Sequence, residues 1–247
     1  MAVEIVQKKV AGASVREMAR KREIVALLVG MIGLLVLGGV NLVNHFNIKR
    51  GNIYVVLGCL ALLGLVGGPL SAVIDHFKKR EKDAIRGAEA EEAVGAILDK
   101  LAKQSDRYLV LHDVMAEYGN VDHIVVRKDG VVFMIETKSQ RGKVTERDGR
   151  LLVSGRSPKK DFMAQAGRNA VWLGKRMEQK LGIPVWVKAG LVFPNAYVGV
   201  RREVKGVTGM GQHYLKPWIE RQPANAEMGK RMAAAWDQLP TLMTKAE

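Results

Sequence analysis

The chain has almost no cysteine. Cys59 stands alone among 247 residues, which excludes an internal disulfide framework and a cysteine-built zinc site. Acids are in deficit: 25 Asp and Glu against 39 Lys and Arg leave a formal net charge of +14. Such a balance favours phosphate-rich partners, nucleic acid or an anionic membrane face. Aromatic residues are only 6% of the chain, and no set of them is spaced for stacking on bases. Helix-turn-helix and zinc-finger patterns are missing as well, so base readout is not indicated. Internal repeats and low-complexity tracts are absent.

Charge itself is missing from two long stretches. No Asp, Glu, Lys or Arg occurs from Ile24 to Ile48, which begins "IVALLVGMIGLLVLGGVNLV", nor from Gly51 to Ile74. Each run reaches the roughly 20 apolar residues that a helix needs to cross a bilayer. The alternative, a pair of buried core helices, calls for shorter and more amphipathic segments. The short connection "NHFNIKRGN" suits a helical hairpin. Lys8, Lys9, Arg16, Arg20, Lys21 and Arg22 precede it, and Lys78, Lys79, Arg80, Lys82 and Arg86 follow it. Positive charge marks the cytoplasmic side. The expectation is a two-pass protein of the cell (inner) membrane with both termini cytoplasmic and the lipid bilayer as one partner. A signal peptide fits poorly, because the charged lead is long and no small-residue cleavage site precedes Lys49. From residue 75 onward 31 Lys and Arg still face 22 Asp and Glu, so membrane topology does not account for all the basic charge.

The expected organisation is a basic segment over 1–23, the hairpin over 24–74, a soluble α/β domain over 75–205 and a helical extension over 206–247. In the soluble part, "KKREKDAIRGAEAEEAVGAILDKLAKQ" has helical apolar spacing. "RYLVLHDVMAE", "VDHIVVRK" and "VVFMIETKS" read as strands, the last two joined by a hairpin turn at Asp129-Gly130. "KVTERDGRLLVSG" reads as another hairpin, with Asp148-Gly149 at its tip. A helix follows from about Ser157-Pro158 to Gly182, then a strand in "PVWVKAGLVFPN" and a possible further strand in "VGVRREVKGVTGM". Two helical stretches close the chain. This order indicates a mixed sheet flanked by helices.

Charges on the two central strands need a reason. Glu136 and Lys138 lie two apart and so point the same way. Pairing Val126 with Phe133 across the turn sets Asp122 opposite Thr137, within one residue of both. Adjacent carboxylates repel unless a cation joins them, and hard oxygen donors on rigid strands suit Mg²⁺ or Mn²⁺. With a lysine beside them, this is the chemistry of phosphodiester hydrolysis. The plainer alternative is a Lys–Glu surface pair with an aspartate that caps a turn. His123 faces the opposite side and reads as structural, as do His112 and His213. Arg127, Lys128, Arg141, Lys143, Arg147, Lys159 and Lys160 are candidates to hold a polyanion.

"GNVDHIVVRKDGVVFMIETKSQRGKV" resembles the nuclease-related domain family, NERD, whose core runs G-N-x-D-H, a glycine turn, and an apolar strand that closes in E-x-K. "GAEAE" at 87–91 resembles the family's leading G-x-x-G-E, with Ala90 in place of the second glycine. "SPKKDFMAQAGRNAVWL" resembles its N-P-x-x-Q helix, at a longer spacing from the proline. The resemblance covers roughly residues 85–195. It implies a PD-(D/E)xK, restriction-endonuclease-like fold. There Asp122 and Glu136 hold the metal and Lys138 positions the attacking water. Glu91 organises the site from the helix, and Gln165 supports the metal shell or the scissile strand. The alternative for Glu91 is an acid favoured by the helix dipole beside Glu89 and Glu92. Three functions stay open: a membrane-anchored, metal-dependent nuclease acting on DNA or RNA, a non-catalytic nucleic-acid-binding module, and a membrane scaffold for protein contacts. The expected partners are nucleic acid and the lipid bilayer; the sequence names no particular protein partner.

Overall fold

Apolar residues that run without a break through a strand mark a sheet covered on both faces. Ile124, Val125 and Val126 are all fully buried, as are Val132, Phe133, Met134 and Ile135. The computed structural model describes residues 53–244, apart from 118 and 200–202, with scattered positions between 27 and 45; side chains are described from 75 onward with few exceptions. Apart from those scattered positions, the side chains of the expected hairpin over 24–74 lie outside the described ones. Among the residues whose side chains are described, no helix is long and apolar enough to cross a membrane. Two compact units are distinguished, one over Ser14–Arg86 and one containing Gly87–Glu247. The second carries the candidate site.

Its elements run in the order α1 (Ile53–Gln104, of which this unit holds the part from Gly87), β1 (Tyr108–Ala116), β2 (Gly119–Arg127), β3 (Val132–Thr137), β4 (Gly142–Arg147), β5 (Arg150–Val153) and α2 (Phe162–Leu181), then β6 (Val187–Phe193), β7 (Ala196–Val198), β8 (Glu203–Val204), β9 (Val207–Gly211), α3 (Gln212–Glu220), α4 (Ala226–Ala234), a 3₁₀ turn (Trp236–Gln238) and α5 (Leu239–Thr244). Six strands form the main sheet in the order β1-β2-β3-β6-β9-β8. β1, β2 and β3 are antiparallel neighbours, while β3–β6 and β6–β9 pair in parallel. One sheet face carries Ile124, Val126, Val132 and Met134 and packs on Met163, Ala166, Ala170 and Leu173 of α2. The other carries Val125, Phe133 and Ile135. It packs on Val94, Leu98 and Leu101 of α1, a stripe at helical spacing, and on Leu215 and Ile219 of α3. The fold is thus a mixed α/β sheet with helices on both faces, consistent with a nuclease fold. A small sheet, β5-β4-β7, stands beside it.

Four expectations are corrected. The β2–β3 loop has three residues, 128–130, instead of a two-residue Asp129-Gly130 turn: the Arg127 amide donates to Val131 O at 2.9 Å and the Gly130 amide to Arg127 O at 3.0 Å. Gly130 holds φ +94°, as the third residue of such a loop requires. A Cβ there collides with the backbone of Asn225 and Gly229 at the start of α4. Second, α2 begins at Phe162, where the Asp161 carboxylate accepts the Ala164 amide at 3.0 Å; Pro158 lies outside the helix. It ends as expected at Gly182, in the left-handed conformation. Third, "VGVRREVKGVTGM" is not one strand. Lys205 and Gly206 both take positive φ and turn β8 back on β9. Fourth, no boundary falls at 205/206, because β9 pairs with β6 in the main sheet, and Met228, Met232, Leu239 and Met243 are buried in the same core.

Candidate active site

The site is built where β1, β2 and β3 meet at one end of the sheet. β2 pairs with β3 through Val125–Phe133, Ile124–Met134 and His123–Ile135. Continuing this register by one step sets Asp122 across from Glu136, not Thr137 as the two-residue turn implied. Residues directly opposite share a face, so the two carboxylates lie on the side covered by α2. The Asp122 carboxylate accepts the Thr137 amide at 2.6 Å, which fixes it against the end of β3. β1 adds a third acid. His112–His123 and Val114–Val121 are paired, which brackets Asp113 opposite Asp122. Asp113 is buried and holds φ +51°, a conformation that non-glycine residues rarely adopt. Asn120 steadies it by donating from Nδ2 to Asp113 Oδ1 at 2.7 Å.

Glu136 is only 1% exposed. A carboxylate so enclosed needs several donors, and three surround it. Lys138 Nζ donates to Oε2 at 3.0 Å. Asn169 Nδ2 donates to Oε1 at 2.8 Å, and Gln165 Nε2 reaches Oε2 at 3.5 Å. Gln165 and Asn169 are one turn apart on α2 and face the same way. Lys138 is largely buried, sits 5.3 Å from the Phe162 ring centre and is tied to β6 by its amide bond to Val192 O at 2.9 Å.

Glu91, on α1, completes the cluster. Its pKa is pushed from 4.5 to about 7, first by burial, then by the negative charge of Asp113, with Glu136 adding and Lys138 opposing. Asp122 is also pushed well above the carboxylate range. Burial is the leading cause, followed by Glu136 and Glu91, against the pull of Lys138 and the Thr137 amide. So the structure brings Glu91, Asp122, Glu136, Lys138 and Gln165 into one neighbourhood. Among the described residues, no group of three or more His, Cys, Asp or Glu side chains is arranged to hold a metal ion. The donor set still has the right chemistry for a hard cation, because Mg²⁺ typically takes one or two carboxylates and fills its other positions with water and substrate phosphate.

Behind the site, His112 and His123 are buried and bonded at 2.8 Å through their Nδ1 atoms. His112 Nε2 reaches Asp99 Oδ1 on α1 at 3.3 Å, and His123 Nε2 reaches Thr137 Oγ1 at 3.3 Å. Burial, then His112, hold the His123 pKa down at about 3. This buried pair is structural and braces the strand ends that carry Asp122 and Thr137. His213 is exposed on α3 and remote in role.

The basic candidates divide. Arg141, Lys143 and Arg147 are exposed on β4 and just before it, and Lys159 and Lys160 are exposed between β5 and α2, next to Lys138 and Phe162 in the chain. Exposed Arg150 and Arg156 of the same arm join them, unpredicted because each reads singly as a surface group. Arg127 does not belong to this set. It is buried, ion-paired with Asp129, and donates from Nη1 to Ile219 O at 2.7 Å and Gln222 O at 3.0 Å. All of its reach goes into holding the end of α3. Lys128 is likewise engaged, with Asp106 at 2.6 Å and over the Trp236 ring at 5.3 Å.

Asp113 and Asn169 were not anticipated. Asp113 carried a signal, an acid inside the apolar strand "YLVLHDVMA". Asn169 carried a fainter one, since it follows Gln165 by one helical turn on an otherwise apolar stripe.

A family model described as the nuclease-related domain, NERD, matches residues 86–194. The match takes in the part of α1 that bears Glu91, β1 to β6, and α2, and so every acidic and amide residue of the site. No curated protein and no solved structure matches the chain.

Proposed function

We propose that this protein is a metal-dependent nuclease that hydrolyses phosphodiester bonds of DNA or RNA, anchored to the cytoplasmic face of a membrane. One observation carries the catalytic part: Asp122, one step beyond the His123–Ile135 pair, binds the Thr137 amide beside Glu136, with the Lys138 ammonium 3.0 Å from Glu136. Asp122 and Glu136 are the proposed holders of Mg²⁺ or Mn²⁺. When bound, such an ion polarises a phosphoryl oxygen and lowers the pKa of water. Lys138, tethered to β6 and stacked near Phe162, positions the attacking water and offsets charge that gathers at phosphorus. Asn169 and Gln165 orient Glu136. Glu91, with its raised pKa, exchanges a proton at the margin of the site near neutral pH. The exposed cations of the β4–β5 arm hold the phosphate backbone without reading sequence.

Anchoring rests on the uncharged runs 24–48 and 51–74 and on the cations that flank them. It explains why the basic charge is concentrated on either side of those runs.

The test is cleavage of single- and double-stranded DNA and RNA by the purified full chain in detergent, with Mg²⁺, with Mn²⁺ and with EDTA. Glu136→Ala and Lys138→Ala are run beside wild type. Cutting that needs the divalent ion and falls by at least about 100-fold in both variants is expected. Equal cutting by all three proteins, or cutting in EDTA, removes the site assignment.

A further inference from the structure

α2 has one apolar stripe buried against the sheet, yet its other side is not simply polar. Val171 is 60% exposed there. Beside it runs a groove of about 950 Å³ between α2 and the segment that returns to β6, with Trp172 and Trp186 in its walls. Trp186 is 79% exposed. Val171, Trp172 and Trp186 line one groove, so the exposed apolar surface is a contiguous patch and not one stray side chain. Trp172 is half-buried, with the Arg176 guanidinium 5.7 Å from its ring centre. Arg168, Lys175, Arg176 and Lys205 supply four cations to the groove against two carboxylates, Glu117 and Glu178. The surface is therefore basic and aromatic together.

Position gives this surface its meaning. The groove extends along α2 from Met163 and Ala164 to Gln179, about 24 Å at 1.5 Å per residue. Its near end is lined by Met163, Ala164 and Arg168, chain neighbours of Gln165 and Asn169, which touch Glu136 from the same helix. Cations track a phosphate chain, and indole rings accept bases in stacking contact. Only an unpaired strand offers base faces; in a duplex they are already stacked on each other. The two tryptophans are distant enough in sequence that no stacking pattern is visible before folding.

We propose that the groove along α2 binds single-stranded nucleic acid and leads it to or from the acidic site, so that the substrate class is a single strand or a frayed end. The direction toward the site rests on the nuclease reading; the binding does not. A second copy of the chain or another protein on the same face is the competing occupant.

The experiment measures binding of fluorescein-labelled oligothymidylate and of a blunt duplex of equal length to the full chain, in detergent with EDTA. Trp186→Ala is expected to weaken oligothymidylate binding at least about fivefold, the loss of one base–aromatic stack, and to change duplex binding less than about twofold. Trp186→Phe is expected to keep most of the affinity. Lys175→Ala is expected to flatten the salt dependence of single-strand binding by about 0.7 in the log–log slope. Unchanged oligothymidylate binding by Trp186→Ala overturns the proposal, and so does an equal loss on duplex. A Trp186→Ala change confined to the sedimentation coefficient also overturns it and gives the face to self-association. If Trp186→Ala loses the oligonucleotide while wild type cuts nothing with Mg²⁺ or Mn²⁺, the groove stands and the nuclease reading falls. If wild type cuts and Trp186→Ala binds and cuts alike, the groove falls and the nuclease reading stands.

Discussion

Two of the clustered carboxyls, Glu91 and Asp122, keep protons that an unfolded chain gives up. That makes the metal-free protein less stable as pH rises, the reverse of the usual behaviour of paired carboxylates. For Glu91 the folded pKa is about 7 against an ordinary 4.5. Below about pH 4.5 the group is neutral in both states and no penalty exists. Between 4.5 and 7 the unfolded chain releases the proton and the folded chain retains it, so stability falls with pH. Above 7 both states are charged and the loss is complete. At 1.36 kcal/mol per pH unit the full difference is at most about 3.4 kcal/mol. Solvent reaches this half-buried carboxyl and screens its interactions, which reduces the expected loss to about 1–2 kcal/mol. Asp122 moves in the same direction. The assay is urea unfolding in EDTA from pH 5 to 8, followed by tryptophan fluorescence. All four tryptophans, at 172, 186, 218 and 236, lie in the unit containing Gly87–Glu247, so the signal reports on that unit. Because other groups also titrate, the decisive quantity is the difference between wild type and Glu91→Gln. The variant is expected to match wild type near pH 5 and to be more stable by about 1–2 kcal/mol at pH 8. Saturating Mg²⁺ is expected to raise wild-type stability more at pH 8 than at pH 5, because the ion competes with protons for the same oxygens. A pH-independent difference between the two proteins refutes the reasoning.

Asn169→Ala removes the 2.8 Å bond to Glu136, worth about 1.5–3 kcal/mol to a charged acceptor, but also removes a buried Oδ1 that has no hydrogen-bond partner among the described residues, itself a cost of about 1–3 kcal/mol. The two nearly cancel, so urea unfolding is expected to shift by less than about 1.5 kcal/mol, while kcat for cleavage drops at least about tenfold with KM little changed; a large loss of stability with normal cleavage contradicts the positioning role. For the anchor, the full chain is expected to stay in the membrane pellet after alkaline extraction, with the C-terminal unit open to protease only in inverted vesicles. Release into the supernatant removes the hairpin.

How legible was this in the sequence? The central acids were, because an acid inside an unbroken apolar strand is costly enough to demand a reason. The register was not. Counting Asp129-Gly130 as a two-residue turn shifts the pairing by one, and one step turns every side chain to the other face. In that register Asp122 and Glu136 sit on opposite sides of the sheet. The added loop residue returns them to one side and brings Asp113 in from β1. Arg127 was misread for a related reason. At the end of a strand it looks like a surface cation, yet the packing of α3 and α4 across the hairpin, invisible without tertiary structure, encloses it.

The motif G-N-x-D-H can be understood as a set of ties, each with a physical task. Gly119 takes φ +111°, which is strained for other residues. Asn120 holds Asp113 in its left-handed conformation, Asp122 caps the end of β3 through the Thr137 amide, and His123 is braced through His112 to α1. These ties gather acids: Asp113, Asp122 and Glu136 stand in a row across three strands, Glu91 adds a fourth, and among the described residues Lys138 is the cation that opposes the raised pKa of Glu91 and Asp122. A module that only bound nucleic acid gains nothing from such a row, since carboxylates repel phosphates and burying them destabilises the fold. A scaffold for protein contacts gains no more from acids that are mostly enclosed. On the proposed reading, a divalent cation held by these acids would reverse the sign of the field that a phosphate meets. That electrostatic argument, more than the spacing of any single motif, favours hydrolysis over simple binding.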